Sequence, residues 1–350
     1  GPASIGPLEP QVSIGGYLAA FETLKAAIRA GDIYQANLTL PLAGPARGDP
    51  MAIYAAIRPA ARAGYGEVFD RGYAHYDGPR EGRRRAVMSL FTYSMKRAMG
   101  IRKSWTAKVL PILLYVSSFV PLIVMIGVAA LLPQANIASY PDYFSGIFTI
   151  VGIFAATVIP ELLVPDRHEK TLPLYFARAI TRFDYVFAKL AAAAALTMTI
   201  SVLPAVILWL GTQLVADSPA SAMRDNIGDL GRVILLGTLI ALSLGTIALV
   251  VSSMTNRKGV AIAVIVIGFI VVTSLVEPAV TQLDQEWRRY AVLAAMPLVF
   301  DAIAASLFDS RPDRIVQIAD LPIWVYYAWV CFIIVAGSLF VRWRYSPRNA

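Results

Sequence analysis

The chain is poor in charge, in cysteine and in histidine. Of its 350 residues, 15% are charged, where a soluble domain would carry about 25%, so an ordinary water-soluble globule is excluded. A single cysteine, Cys331, rules out an intramolecular disulfide framework and cannot build a cysteine metal site by itself. It reads as a small apolar packing residue. The two histidines, His75 and His168, have no cysteine near them and suit solvated or interfacial places rather than a metal. No G-x-x-x-x-G-K-[ST] phosphate loop occurs, so the chain has no ATP hydrolysis of its own by that route. No basic segment followed by an apolar one opens the chain, so no signal peptide is expected. A first residue other than Met reads as a fragment, a processed form or an unusual gene boundary. No catalytic triad, carboxylate pair or metal cluster emerges, and no catalytic, cofactor or metal residue is assigned.

What the chain has in abundance is apolar length. Hydrophobic residues make up 57% and the mean hydropathy is +0.61. Residues 109–132, 143–160, 190–216, 233–256, 259–276 and 322–341 each lack Asp, Glu, Lys and Arg. Each is close to or above the ~18–20 residues a helix needs to cross the hydrocarbon core. Transmembrane strands would alternate polar and apolar residues over ~10-residue segments, and these runs do not. The expected fold is therefore an all-α polytopic membrane protein with six transmembrane helices. Pro111, Pro121 and Pro204 fall inside spans as expected kinks, which membrane helices tolerate.

The net charge is +8, but in such a protein the placement of Lys and Arg matters more than the total. Arg80, Arg83, Arg84, Arg85, Lys96, Arg97, Arg102, Lys103 and Lys108 precede the first span, and Arg167, Lys170, Arg178, Arg182 and Lys189 follow the second. Arg257 and Lys258 follow the fourth, and Arg342, Arg344 and Arg348 follow the last. The opposite loops are poorer. Excess Lys and Arg mark the cytoplasmic side, so a multi-pass protein of the cell membrane with both termini in the cytoplasm is expected. A nucleic-acid partner is not needed to explain the charge, since no binding module accompanies it.

Residues 86–101 are amphipathic, with Val87, Met88, Leu90, Phe91, Met95, Ala98, Met99 and Ile101 on one arc. Lys96 lies opposite, and Arg97 adds to the charge. Such a helix suits the headgroup zone, where basic side chains meet anionic lipid. The charged stretch PELLVPDRHEKTLPLYFARAITRFDYVFAKL at 160–190 mixes aromatics with Arg, Lys and Asp. Pro173 interrupts a continuous helix there, and Thr181 is placed to cap a new one. A short, partly apolar, charge-flanked helix suits the groove of a partner. Residues 277–321 read as short outer re-entrant helices rather than a span, with 290–300 stopped by Asp301 or Asp301 lining an outer vestibule. Glu161, at the end of span two, either meets water or a basic neighbour or marks an ion path.

The first 67 residues differ from the rest. Residues 17–30 have helical spacing, 34–42 read as a strand, and 50–57 as a second helix. AGDIYQANLTLPL followed by GDPMAIYAAIRPA resembles the opening of the chorismate-binding domain of aminodeoxychorismate and anthranilate synthase component I, over about residues 14–66. In those enzymes chemistry depends on later carboxylates that hold Mg²⁺ and on a PIKGT-like lysine motif, neither of which has a counterpart here. Residues 1–67 thus read as a truncated, non-functional α+β fragment, from a true fusion or an artefact of gene boundaries, the latter favoured. A rival reading is a chorismate-utilising enzyme fused to a membrane anchor.

The remainder, about residues 68–350, resembles ABC-2 type transporter permeases, above all in EKTLPLYFARAITRFDYVFAKL. The resemblance implies residues 68–108 as a cytoplasmic basic region and 109–350 as the six-span domain. It also implies an ABC ATPase subunit, pairing with a second permease as a homodimer or heterodimer, and no enzyme activity in this chain. The ATPase-coupling loop would use Asp166, Arg167, Glu169, Lys170, Tyr175, Arg178, Arg182 and Asp184. Val87, Leu90, Phe91, Lys96 and Arg97 would form the interfacial helix. A scaffold or a secondary transporter without an ATPase is the remaining rival.

Overall fold

The computed structural model describes residues 4–30, 38–57, 82–101, 104–131, 139–176, 180–282 and 286–346. It divides into two compact units, Gly1–Pro79 and Arg80–Ala350. The expected boundary at residue 67 and His75 lie outside the described residues.

In the first unit, α1 (Ile14–Ala30) and α2 (Pro50–Ile57) accompany two antiparallel ribbons. β1 (Ser4–Ile5) pairs with β4 (Ala46–Arg47), and β2 (Glu9–Pro10) with β3 (Leu42–Ala43). The α2 bounds match the expected 50–57. Of the strand expected at 34–42, residues 34–37 lie outside the described residues and 38–41 form no strand; only Leu42 pairs. The apolar stripe of α1 stays uncovered: Ile14 is 81%, Leu18 55% and Phe21 45% exposed.

The second unit is helical among its described residues. α3 (Gly82–Ala98) precedes α4 (Thr106–Leu131), α5 (Tyr140–Val158), α6 (Pro160–His168) and α7 (Leu172–Phe176). Then come α8 (Arg182–Val215), α9 (Pro219–Asp225), α10 (Ile227–Met254) and α11 (Lys258–Gln282). A 3₁₀ helix (Glu286–Ala294), α12 (Met296–Leu307), α13 (Arg314–Ala319) and α14 (Ile323–Arg344) complete it. Six helices among the described residues are long and apolar enough to cross a membrane: α4, α5 with α6, α8, α10, α11 and α14. They coincide with the six expected runs, and the protein is a multi-pass membrane protein. Its helices continue through Pro111, Pro121 and Pro204.

Two boundaries differ from expectation. α11 runs on through Glu277 and Pro278 to Gln282, so the segment after 276 begins as helix. Asp301 does not stop a helix; it sits inside α12, where its carboxylate accepts the Asp313 backbone N–H at 2.6 Å. The 3₁₀ helix and α12 meet at 96°, the geometry of a broken or re-entrant segment.

The core is centred on α8 and α10. Gly237, Ala241 and Gly245 repeat every four residues along α10 and let the backbones approach. Across this seam the Ser201 hydroxyl donates to the Gly237 carbonyl at 2.9 Å, and the Thr197 hydroxyl to the Ala241 carbonyl at 3.0 Å. Small residues and interhelical hydroxyl bonds replace the hydrophobic drive that lipid cannot supply. α8 is 34 residues long, about 50 Å at 1.5 Å per residue, and so exceeds a ~30 Å hydrocarbon core. Its excess length places Asp184 and Lys189 beyond the apolar run.

Candidate functional site

At the end of the bundle where α5 passes into α6, charged side chains gather. The start of α8 is set by a capping box: the Thr181 hydroxyl accepts the Asp184 N–H at 3.2 Å, and the Asp184 carboxylate accepts the Thr181 N–H at 2.9 Å. Arg83 of α3 closes on the same carboxylate with both arms, at 2.7 and 2.8 Å. This is the planar bidentate geometry that guanidinium offers to carboxylate.

Two turns further along α8 lies a buried ionic cluster. The Asp166 side chain is 0% exposed, and it receives Lys189 Nζ at 2.7 Å and Arg97 Nη1 at 2.9 Å. The Tyr185 hydroxyl donates to it at 2.9 Å. The second arm of Arg97 reaches Glu169 at 3.0 Å. Burial opposes the charge of Arg97, but the carboxylates of Asp166 and Glu169 outweigh it and hold the guanidinium above its ordinary pKa. Tyr175, Phe176 and Tyr345 surround the Tyr185 ring with centroids 5.5–5.9 Å away. Burial first, then the nearby Asp166 charge, pushes the Tyr175 phenol up to about 12. Helices distant in sequence are thus fastened by one desolvated carboxylate.

α6 makes further ties. Glu161, 8% exposed, meets Lys258 Nζ at the start of α11 at 2.5 Å, which agrees with the basic-neighbour reading. Arg167 donates to the Ser253 and Thr255 carbonyls at the end of α10, groups that a helix terminus leaves without intrahelical partners. α6 ends in a Schellman turn, with the Thr171 N–H on the Asp166 carbonyl and the Lys170 N–H on that of Arg167. Lys170 takes φ +52° there, a place glycine fills without steric cost.

The residues expected to form a coupling loop therefore divide. Asp166 is buried and Arg167 half-buried, and both bond within the unit. Asp184 is committed to its cap and to Arg83. Glu169 and Lys170 are exposed and Tyr175 half-buried. Arg182 lies 5.1 Å over the Phe176 ring, and its Nη1 has no hydrogen-bond partner among the described residues. Arg178 lies outside them. On α3, Leu90, Ser94 and Ala98 are buried and Val87 and Phe91 half-buried against the bundle. Much of the apolar arc expected to face lipid is thus covered by protein. Lys96 is exposed, and with Arg85, Ser89, Thr92, Tyr93, Arg97 and Glu169 it lines a groove of about 700 Å³. Sequence reasoning missed Lys189 and Tyr185; a Lys and a Tyr four apart just inside a long helix were the signal.

Farther along the bundle, α5, α10 and α11, with Ala294 and Met296, line a half-open apolar cavity of about 280 Å³. Thr149 and Gly152 of α5, Leu244 and Ile247 of α10, and Phe269 and Thr273 of α11 contribute to its wall.

Residues 1–78 match the family model of the chorismate binding enzyme, and residues 86–341 that of the ABC-2 family transporter protein. Among curated proteins nothing matches. The N-terminal match is short and does not by itself establish an enzyme activity. The second match takes in the ionic cluster, the cavity and all six spanning helices, and the chain belongs to the ABC-2 family of transporter proteins.

Proposed function

We propose that the chain is the permease subunit of an ABC exporter and that a separate ATPase docks on the face formed by α3, α7 and the start of α8. The carrying observation is the Asp166 cluster. It binds α3, α6 and α8 into one block, with α7 and the polar groove of α3 on its outside. A push on α7 would then reach the spans through α6 and α8 rather than dissipate in a loop.

Arg83, Lys96, Arg97, Arg167, Lys170, Arg182, Lys258, Arg342 and Arg344 all belong to this end of the bundle, which supports a cytoplasmic position for it and for both termini. Asp166, Arg167 and Asp184 build the block. Glu169, Lys170, Tyr175, Arg178 and Arg182 are the contact residues. α4, α11 and α14 keep much of their apolar surface uncovered, which suits lipid on one side and a second permease, identical or related, on the other. Exposed Met88, Ile101 and Trp105 suit the membrane interface beside α3. Residues 1–67 take no part in transport.

Co-purification with an ABC ATPase from native membranes tests the reading. The expected result is an ATPase held by the wild type and lost on charge reversal at Arg178 and Arg182. Binding that survives both reversals would remove this loop as the contact, and a wild type that holds no ATPase would overturn the exporter reading.

A further inference from the structure

Glu161 and Arg167 lie six residues apart on α6, about 9 Å along a helix axis. They grip opposite sides of one short turn. Arg167 holds the carbonyls of Ser253 and Thr255, where α10 ends, and Glu161 holds Lys258, where α11 begins. Only Thr255, Asn256 and Arg257 separate those helices. α6 therefore has two attachment points on the α10–α11 turn, and a rigid helix fixed at two points transmits rotation as well as translation. α11 in turn supplies one wall of the apolar cavity, including Gly268, Phe269 and Thr273.

We propose that the Glu161–Lys258 pair, backed by Arg167, is the link that carries motion of α6 to the cavity wall, with Lys258 as its positioning residue. This rests on the ATPase reading above. When α6 turns, the carbonyl clamp holds the end of α10 while the ion pair swings the start of α11, so α11 tilts against α5 and α10. The Glu161 side chain is 10% exposed and that of Lys258 43%, so the pair lies where water screens it incompletely. An ammonium on a flexible stem follows its carboxylate through a tilt without breaking contact.

The test uses the permease–ATPase complex in lipid vesicles, with Cys331→Ser as background and Thr273→Cys as reporter. Maleimide labelling at position 273 is timed with and without ATP, and ATP hydrolysis is measured on the same samples. The expected result is an ATP-dependent change in labelling rate that Lys258→Gln reduces at least fivefold while hydrolysis continues. The exchange Glu161→Lys with Lys258→Glu restores at least half of it, and Lys258→Arg keeps it. A Lys258→Gln complex with an unaltered ATP response overturns the proposal. So does a hydrolysing wild type whose position 273 ignores ATP, or an exchange variant that folds, hydrolyses and shows no recovery. A wild type that binds no ATPase fails at the preceding step and takes this route with it.

Discussion

Asp166→Asn is the most informative single change at the basic end. It keeps the side-chain volume and removes the charge on which Arg97, Lys189 and Tyr185 converge. Oδ1 faces Arg97 and Oδ2 faces Lys189 and Tyr185, so whichever way the amide is turned, its NH₂ confronts a donor. Lys189, with 2% of its side chain exposed, keeps no carboxylate. Breaking a buried pair by removing one partner costs about 3–5 kcal/mol. At about 1.4 °C per kcal/mol for a chain of 350 residues, from an unfolding entropy of about 2.1 cal/mol/K per residue, the apparent Tm should fall roughly 4–7 °C. Lys189→Met, in contrast, leaves Asp166 with Arg97 and Tyr185 and should cost about 1–3 kcal/mol. The pair Asp166→Leu with Lys189→Met should cost less than the sum of its parts, because a buried ion pair exchanged for apolar groups is often close to neutral. Thermal unfolding by intrinsic fluorescence in detergent reads all of these. A Tm for Asp166→Asn within 2 °C of wild type, or a larger loss for Lys189→Met, would refute the reasoning.

Tyr345 is buried, and its hydroxyl has no hydrogen-bond partner among the described residues; Tyr345→Phe should therefore be neutral or stabilising in the same unfolding assay. Burial holds the phenols of Tyr175 and Tyr345 at about 12, raised from about 10 in the unfolded chain. Their contribution is fully present below pH 10 and is lost as pH rises from 10 to 12, which phenolate absorbance against Tm will follow, with Tyr175→Phe blunting the fall. Gly237→Val places a Cβ 3.0 Å from Val202 and 3.4 Å from the Ser201 carbonyl, and overpacking of that seam should cost about 1–3 kcal/mol. Lys170→Gly relieves the left-handed residue that ends α6 and should raise stability by about 0.5–1 kcal/mol, the gain being limited by the freer unfolded chain.

The spans were legible because a run without charge needs no partner to be recognised. The cap at Thr181 was legible because its partner Asp184 is three residues away. The role of Asp166 was not: its guanidinium lies 69 residues back, and an Asp in a charged stretch looks the same whether it faces water or a buried lysine. α3 shows the same limit from the other side. Periodicity identified an apolar arc, but lipid and protein make the same demand of Leu90, and the choice between them is a property of α6 and α8. Asp301 misled for a related reason. A lone acid commonly ends an apolar helix, but here the Asp313 N–H satisfies it from a loop that no local pattern foretells.

The uncovered stripe of α1 has a consequence for the life of the chain in a cell. Ile14, Leu18 and Phe21 stand beside ribbons of two residues per strand, whose edges offer unpaired backbone groups. Chaperones and proteases sort nascent chains by such surfaces, and they do so whether or not the spans behind them have folded correctly. On the function proposed above, the amount of this chain in the membrane would then depend on a segment outside its six spanning helices, and removing residues 1–67 should change that amount.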